Sequence, residues 1–377
     1  MPRGTLSRRL CAAALALAAP LAAAPVAAQA VEPASPPTYR YLDLGPLGTT
    51  PGGVTYSQAA AVNGAGVAAG LATTSSRGYS FHATTWTGGV VRDLGAIDDG
   101  RYASSQAMDI NDAGVVVGTT HVNYTDPPHA FVHRDGAMAD LGTGYGAGSG
   151  SVAEGVNDVG VVVGRRYEAQ GAPYRGVVWR DGEIVEIGSL GGTAGPWGTL
   201  STATAVNNHG QVVGGAATPD GPLHGFLWQD GVLRDLGTLG GNSEATMAND
   251  INDRGQVVGM SQTAEGETHA FLWQDGGMRD LGSLGRELSI AYGVNEPGQV
   301  VGTVQSASDP LNDHAFVWYD GTMVDLNERV PGLPESVTLQ SAQDVNDDGV
   351  IVGIACPIPC HLGGDEQRRG FLLTPVD

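Results

Sequence analysis

Five histidines, His82, His129, His224, His269 and His314, stand at one place in a recurring phrase, each followed by Ala or Gly. Imidazole is the commonest zinc ligand. One ion, however, joins ligands only a few ångströms apart, and these residues recur once per repeat of roughly 47 residues. That spacing assigns them to hydrogen bonding within the frame, and no metal site is read from them. Asp344-Val345-Asn346-Asp347-Asp348-Gly349 resembles the start of a calcium loop, but its twelfth position is Ala355, where a bidentate Glu is required. Sister phrases place Ala113, Val159, His209 and Arg254 where Asp348 stands, so the motif reads as a hairpin turn. Cys356 and Cys360 flank three residues rather than the two of a haem attachment motif, and read as a local disulfide.

No serine elbow, phosphate loop or zinc-protease helix occurs, so no catalytic residue and no cofactor are assigned. What remains for chemistry is a set of single-copy residues between the repeated phrases: Tyr124, Tyr145, Arg165, Arg166, Tyr167, Tyr174 and Trp197. Aromatic and Arg side chains dominate binding hot spots, so these are the candidate binding residues.

The elements that must position them are seven copies of one pattern, clearest in Asn207–Gly282, where two full copies lie back to back. Each reads as four strands: one ending at Asn, one centred on Val-Val-Gly, one carrying His-Ala-Phe-Leu-Trp or a variant, and one ending Asp-Leu-Gly. From the Asn to the Gly after Val-Val the distance is seven in every copy, from Asn63–Gly70 to Asn346–Gly353. From the small residue of the third strand to the acid of the fourth it is always ten, as in Ala270–Asp280. Asn-Asp-x-Gly and Asp-Gly supply turns that fix both hairpins. The second-to-third connection instead runs from 11 residues (Gly214 to Gly225) to 17 (Gly353 to Gly370). In an up-and-down sheet the variable connections emerge at one end, where loops on a rigid scaffold bind.

Tyr39–Gly45 matches only the last quarter of the pattern, and the seventh copy lacks that quarter. The expected fold is therefore all-β: a seven-bladed β-propeller of four-stranded antiparallel blades, closed by the N-terminal strand completing the last blade and burying Leu42 and Leu44. Strands apolar on both faces, such as that of Phe271 and Leu272, need neighbours on both sides. A parallel β-helix would leave the complementary partial copies unexplained.

Residues 1–30 combine Arg3, Arg8 and Arg9, an apolar run from Leu10 to Ala24 and Ala28-Gln29-Ala30, which read as a cleaved secretory signal peptide. A Pro-rich lead (31–38) precedes the repeat domain (39–377). Losing three basic residues and no acidic ones moves the net charge from −21 to −24, and the chain has no Lys. So acidic a surface repels phosphate backbones and anionic headgroups, which argues against nucleic-acid and membrane partners.

His269-Ala270-Phe271, His314-Ala315-Phe316 and His129-Ala130-Phe131, with the Asp-Gly and Asp-Leu-Gly phrases after them, resemble the bacterial extracellular HAF-repeat family. Arg175-Gly176-Val177, Arg369-Gly370-Phe371 and His82-Ala83-Thr84 depart from it. The resemblance implies an exported repeat protein, secreted, periplasmic or at the cell surface. The function expected is a non-enzymatic, monomeric scaffold binding a protein or glycan through its variable loops. The competing readings are a polysaccharide lyase or glycosidase using the same face, and a purely structural matrix protein.

Overall fold

A computed structural model describes residues 37–376 apart from 50–52, 54, 75–80, 98–102, 122–125, 194–197, 242–244, 307–308 and 358–367. The described chain is all-β but for short turns such as the 3-10 segment Leu326–Arg329, which Asp325 caps by accepting from the Asn327 N–H. Every repeat folds as an antiparallel sheet in chain order. The third, for example, comprises Gly150–Val156, Val162–Tyr167, Arg175–Arg180 and Glu183–Glu186. Five sheets have four strands, and the fifth and sixth units share one eight-stranded sheet through the single parallel pair Thr268–Leu288. The last sheet holds Val337–Val345, Ile351–Pro357, Arg369–Val376 and, outermost, Thr38–Leu44, whose seven residues all pair with Arg369–Val376.

The fixed spacings have local causes. At Asp275-Gly276 both residues take positive φ (52° and 90°), the geometry of a two-residue hairpin turn. In the other hairpin Asn252 Oδ1 accepts from the Gln256 N–H (3.0 Å), closing its turn. The Gly after Val-Val is required because the innermost strand bulges opposite it. A Cβ at Gly259 would run into the Met247 carbonyl, and each sister glycine meets the same obstacle.

Apolar seams join neighbouring units. Phe271, fully buried, packs with Val213 and Leu236 of the fourth unit, while Leu272 packs against the cluster of Ala291, Val300 and Phe316 in the sixth. One strand thus feeds two seams, as its doubly apolar face requires. In the strand Thr38–Leu44 the buried residues are Tyr39 and Leu44, at 1% and 0% exposure; Leu42 is 38% exposed, contrary to the expectation. Leu44 enters the seam of Ala59, Trp86 and Leu372, whereas Leu42 lies over the turn at Gly89, beyond that cluster.

Polar contacts bind unit to unit as regularly. The Asn that follows the first strand of each unit donates its side-chain N–H to the backbone carbonyl of the next unit's Asn, at 2.9–3.2 Å: Asn63 to Asn111, and on through Asn157, Asn207, Asn252, Asn295 and Asn346, which donates to Asn63. The seven bonds return to their starting residue. A second set is built on serines six residues before the Asn: the Ala83, Ala130, Gly176, Ala270 and Gly370 N–H groups donate to Ser105, Ser151, Ser201, Ser289 and Ser57 Oγ of the following unit, at 2.8–3.0 Å.

Candidate functional site

The histidines have a common role. His82, His129, His224, His269 and His314 each place Nδ1 2.5–2.9 Å from the Asp of the neighbouring strand (Asp93, Asp140, Asp235, Asp280, Asp325). The same carboxylates accept the N–H two residues on, as Asp235 does from Gly237 (2.7 Å). Burial alone would raise the Asp235 pKa; the His224 and Gly237 hydrogen bonds outweigh it and hold the carboxyl below its ordinary range, and the Asp235 bond raises His224 in turn. Among the described residues, no group of three or more His, Cys, Asp or Glu side chains is placed to hold a metal ion.

In the third unit Arg175 replaces the His and Glu186 the Asp, and the longer side chains reach different partners. Glu186 receives Tyr145 Oη (2.8 Å) and Arg166 Nη2 (3.0 Å), with Arg175 Nη1 at 3.5 Å. Burial works against its charge, but Tyr145, Arg166 and Arg175 prevail and lower its pKa. The Arg166 guanidinium also donates to the Thr143 carbonyl (2.7 Å) and lies 4.2 Å from the Tyr145 ring centroid. On the same strand, Arg165 pairs with Glu154 and sits 5.5 Å from the Tyr174 ring, which meets Tyr167 edge-on at 5.3 Å. Burial raises the Glu154 carboxyl and Arg165 opposes it.

The structure therefore gathers five candidate residues, Tyr145, Arg165, Arg166, Tyr167 and Tyr174, around the loop end of the third unit. Arg166 is buried and serves as the patch's internal tie, while the other four are half-buried. Tyr124 and Trp197 lie outside the described residues, as does Cys360; Cys356 is disulfide-bonded. Glu186 and Arg175 belong to the cluster but were not singled out by the sequence, although their departure from the His/Asp pattern was visible there.

A second feature lies at the opposite, fixed-hairpin end. A pocket of about 240 Å³ is lined by residues of all seven units around the Asn circuit. At its wall Asp109, Asp250 and Asp344 each accept two backbone N–H groups, one from the next residue and one from the following unit (Val156, Val294 and Val62, at 2.7–2.8 Å). Burial and mutual repulsion push Asp109 and Asp250 up to about 7, and burial pushes Asp344 to about 6. Asp112, Asp158, Asn208, Asp253, Glu296 and Asp347 rim it, each accepting a backbone N–H from the preceding unit at 2.5–2.9 Å. These side chains are committed to joining units.

A family model described as "Protein of unknown function (DUF3466)" matches residues 42–176, little more than a third of the chain. No curated protein matches it. Similar solved structures include TolB from Acinetobacter baumannii (11% identity, 68% of this chain and 62% of that one, TM-score 0.45). Others are the β-propeller domain of the trilobed protease from Pyrococcus furiosus (12%, 72% and 98%, TM-score 0.40) and the Aleuria aurantia lectin in complex with Fucα1-6GlcNAc (12%, 74% and 97%, TM-score 0.41). The chain thus spans less than two thirds of that TolB. No helix among the described residues is long and apolar enough to cross a membrane.

Proposed function

We propose that this chain is an exported, non-enzymatic member of the HAF-repeat type, a closed seven-bladed β-propeller that binds a protein or glycan ligand through the third unit's loop end. Closure is supported by the Asn circuit and by the full pairing of Thr38–Leu44 with Arg369–Val376. The binding reading rests on one observation: in this unit Arg175 and Glu186 stand in place of the His/Asp pair, with Tyr145 and Arg166 gathered on Glu186, while Tyr167 and Tyr174 stand with Arg165 on the other face of the same strand. Half-exposed rings beside charged donors offer apolar contact and directed hydrogen bonds together.

The arrangement is poor for hydrolysis. Glu154 and Glu186, whose pKa values move in opposite directions, stand on the first and fourth strands of one sheet. Three interstrand steps separate them by about 14 Å, beyond the roughly 5–9.5 Å of glycosidase carboxylate pairs.

A glycan array, protein capture and a polysaccharide-hydrolase screen test the proposal together, comparing wild type with Tyr145→Ala/Tyr174→Ala. The expected result is a ligand whose affinity falls at least about tenfold in the variant. Turnover of a polysaccharide would replace the reading with the enzymatic one, and a ligand indifferent to the variant would remove the patch from it.

A further inference from the structure

Two of the seams carry the same device at their outer edge. Arg234 of the fourth unit lies over Trp273 of the fifth, and Arg279 of the fifth over Trp318 of the sixth, at 5.2 and 5.1 Å from the ring centroids. Both guanidinium groups also come up against the facing Asp-Gly turn: Nη2 lies 3.1 Å and 3.5 Å from where a Cβ would stand on Gly276 and Gly321.

Strand register identifies the corresponding residues elsewhere. Arg234 pairs with Leu227 and Arg279 with Leu272; in the second unit the residue so placed is Ala139, opposite Val132. Across the seam, the third unit supplies Trp179 at the place of Trp273 and Trp318. Here the tryptophan is present and its arginine is not. A pocket of about 500 Å³ opens where the side chain would lie, with Ala139, Val132 and Trp179 among its apolar lining and Asp140, Asp181 and Glu183 among its charged residues. No atom comes within 4 Å of a Cβ built on Gly182, the turn that the missing guanidinium would have faced. The Trp179 indole N–H is buried and has no hydrogen-bond partner.

We infer that this seam is a vacant arginine socket, which binds an arginine side chain presented by a partner protein. The occupant is read from the molecule itself, since the equivalent surface at two other seams holds a guanidinium against the indole. A planar, weakly hydrated cation suits an aromatic face better than a compact ammonium does. The three lining carboxylates, against Arg134 and Arg180, leave the pocket net acidic within a chain of charge −21. Its volume falls in the range of ligand pockets, enough for a side chain with adjoining peptide backbone. A carbonyl of that backbone would satisfy the Trp179 N–H.

The test uses the mature chain with ¹⁵N-labelled tryptophan and the probe peptide acetyl-Gly-Arg-Gly-amide, with acetyl-Gly-Lys-Gly-amide as comparison. The Arg probe is expected to move the Trp179 indole signal saturably while leaving those of Trp273 and Trp318 in place. The Lys probe should need at least about tenfold higher concentration. Ala139→Arg, which fills the socket from within, should abolish the response. Ala139→Leu occupies the same space without charge and gives the same loss if the first variant does not fold. No saturable shift, equal response to the Lys probe, or a response surviving both substitutions overturns the inference. Tyr145→Ala/Tyr174→Ala should leave the response unchanged, so the socket stands or falls apart from the loop-end patch.

Discussion

Replacing Asn346 by Ala tests whether the two ends of the repeat array hold each other. Its side chain, 7% exposed, donates to the Asn63 carbonyl 283 residues away (2.9 Å) and accepts the Val350 N–H (2.9 Å). The two losses differ in kind. The Asn63 carbonyl keeps the Gly66 N–H at 2.9 Å, so that end forfeits one net hydrogen bond, about 1 kcal/mol. Val350 N–H is left without its acceptor inside a turn, which costs about 1–3 kcal/mol. The expected destabilisation is thus about 2–4 kcal/mol, a large share of a typical domain's 5–15 kcal/mol. Asn157→Ala is the matched control, because Asn157 donates to Asn207 (2.9 Å) and accepts from Val161 (2.8 Å) between units adjacent in sequence. Urea unfolding should show both variants with lower midpoints, unchanged slopes and costs agreeing within about 0.5 kcal/mol. If Asn346→Ala costs at least about 1 kcal/mol less than Asn157→Ala, the closing bond contributes nothing in solution and the circuit is open.

Leu44→Ala, in a fully buried position of the closing strand, should cost about 2–5 kcal/mol, whereas Leu42→Ala, 38% exposed on the same strand, should cost under about 1 kcal/mol; thermal unfolding separates them. Stability should also fall as pH rises from 5 to 8. Asp109, Asp250 and Asp344 have folded pKa values raised from 3.8 to about 7, 7 and 6, so the folded state holds protons that the unfolded chain releases; their contribution is complete below about pH 4 and is lost as pH climbs through 6 to 7. The raised His224 acts in the same direction, and a urea midpoint higher at pH 8 than at pH 5 would contradict the assignment.

Much of the frame was readable because hairpin geometry forces constant spacing. The intervals of seven and ten match the observed pairing of the two fixed hairpins, as between Ile251 and Val257 or Phe271 and Asp280. The orphan Asp-Leu-Gly phrase likewise pointed to the strand that pairs with Arg369–Val376. What failed to show was anything decided between units. Alternation placed Leu42 and Leu44 on one face, but only the packing of the first unit decides that one enters a seam and the other rests over a turn. The serines six residues before five of the Asn had a constant interval that could have been noticed, yet their partners lie in the preceding unit. Asp344 was considered only within a calcium-like loop, whereas its carboxylate reaches the first unit's Val62 N–H. The His/Asp pairs differ: eleven residues apart within one hairpin, they are local enough for sequence to suggest them.

Function in such a frame is expected where a copy departs from the pattern, and the energetics say why. Asn and the seam Phe each satisfy a constraint shared with a neighbour, so changing one penalises two units at once, and the Gly after Val-Val is held by the bulge of its own first strand. Residues at the outer strand and loop end meet solvent, where most substitutions stay within about 0.5 kcal/mol. The exposed ends of a rigid repeat are thus free to diverge and still be held accurately in place. The third unit illustrates this: Glu183–Glu186 is a single four-residue strand, yet Glu186 ties Tyr145, Arg166 and Arg175, and Glu183 lines the seam beside Trp179. Ala139, where the first, fourth and fifth units carry Arg, and Glu186, where the other units carry Asp, border this strand or lie in it, and neither disturbs the Asn or Ser contacts that fix it to its neighbours.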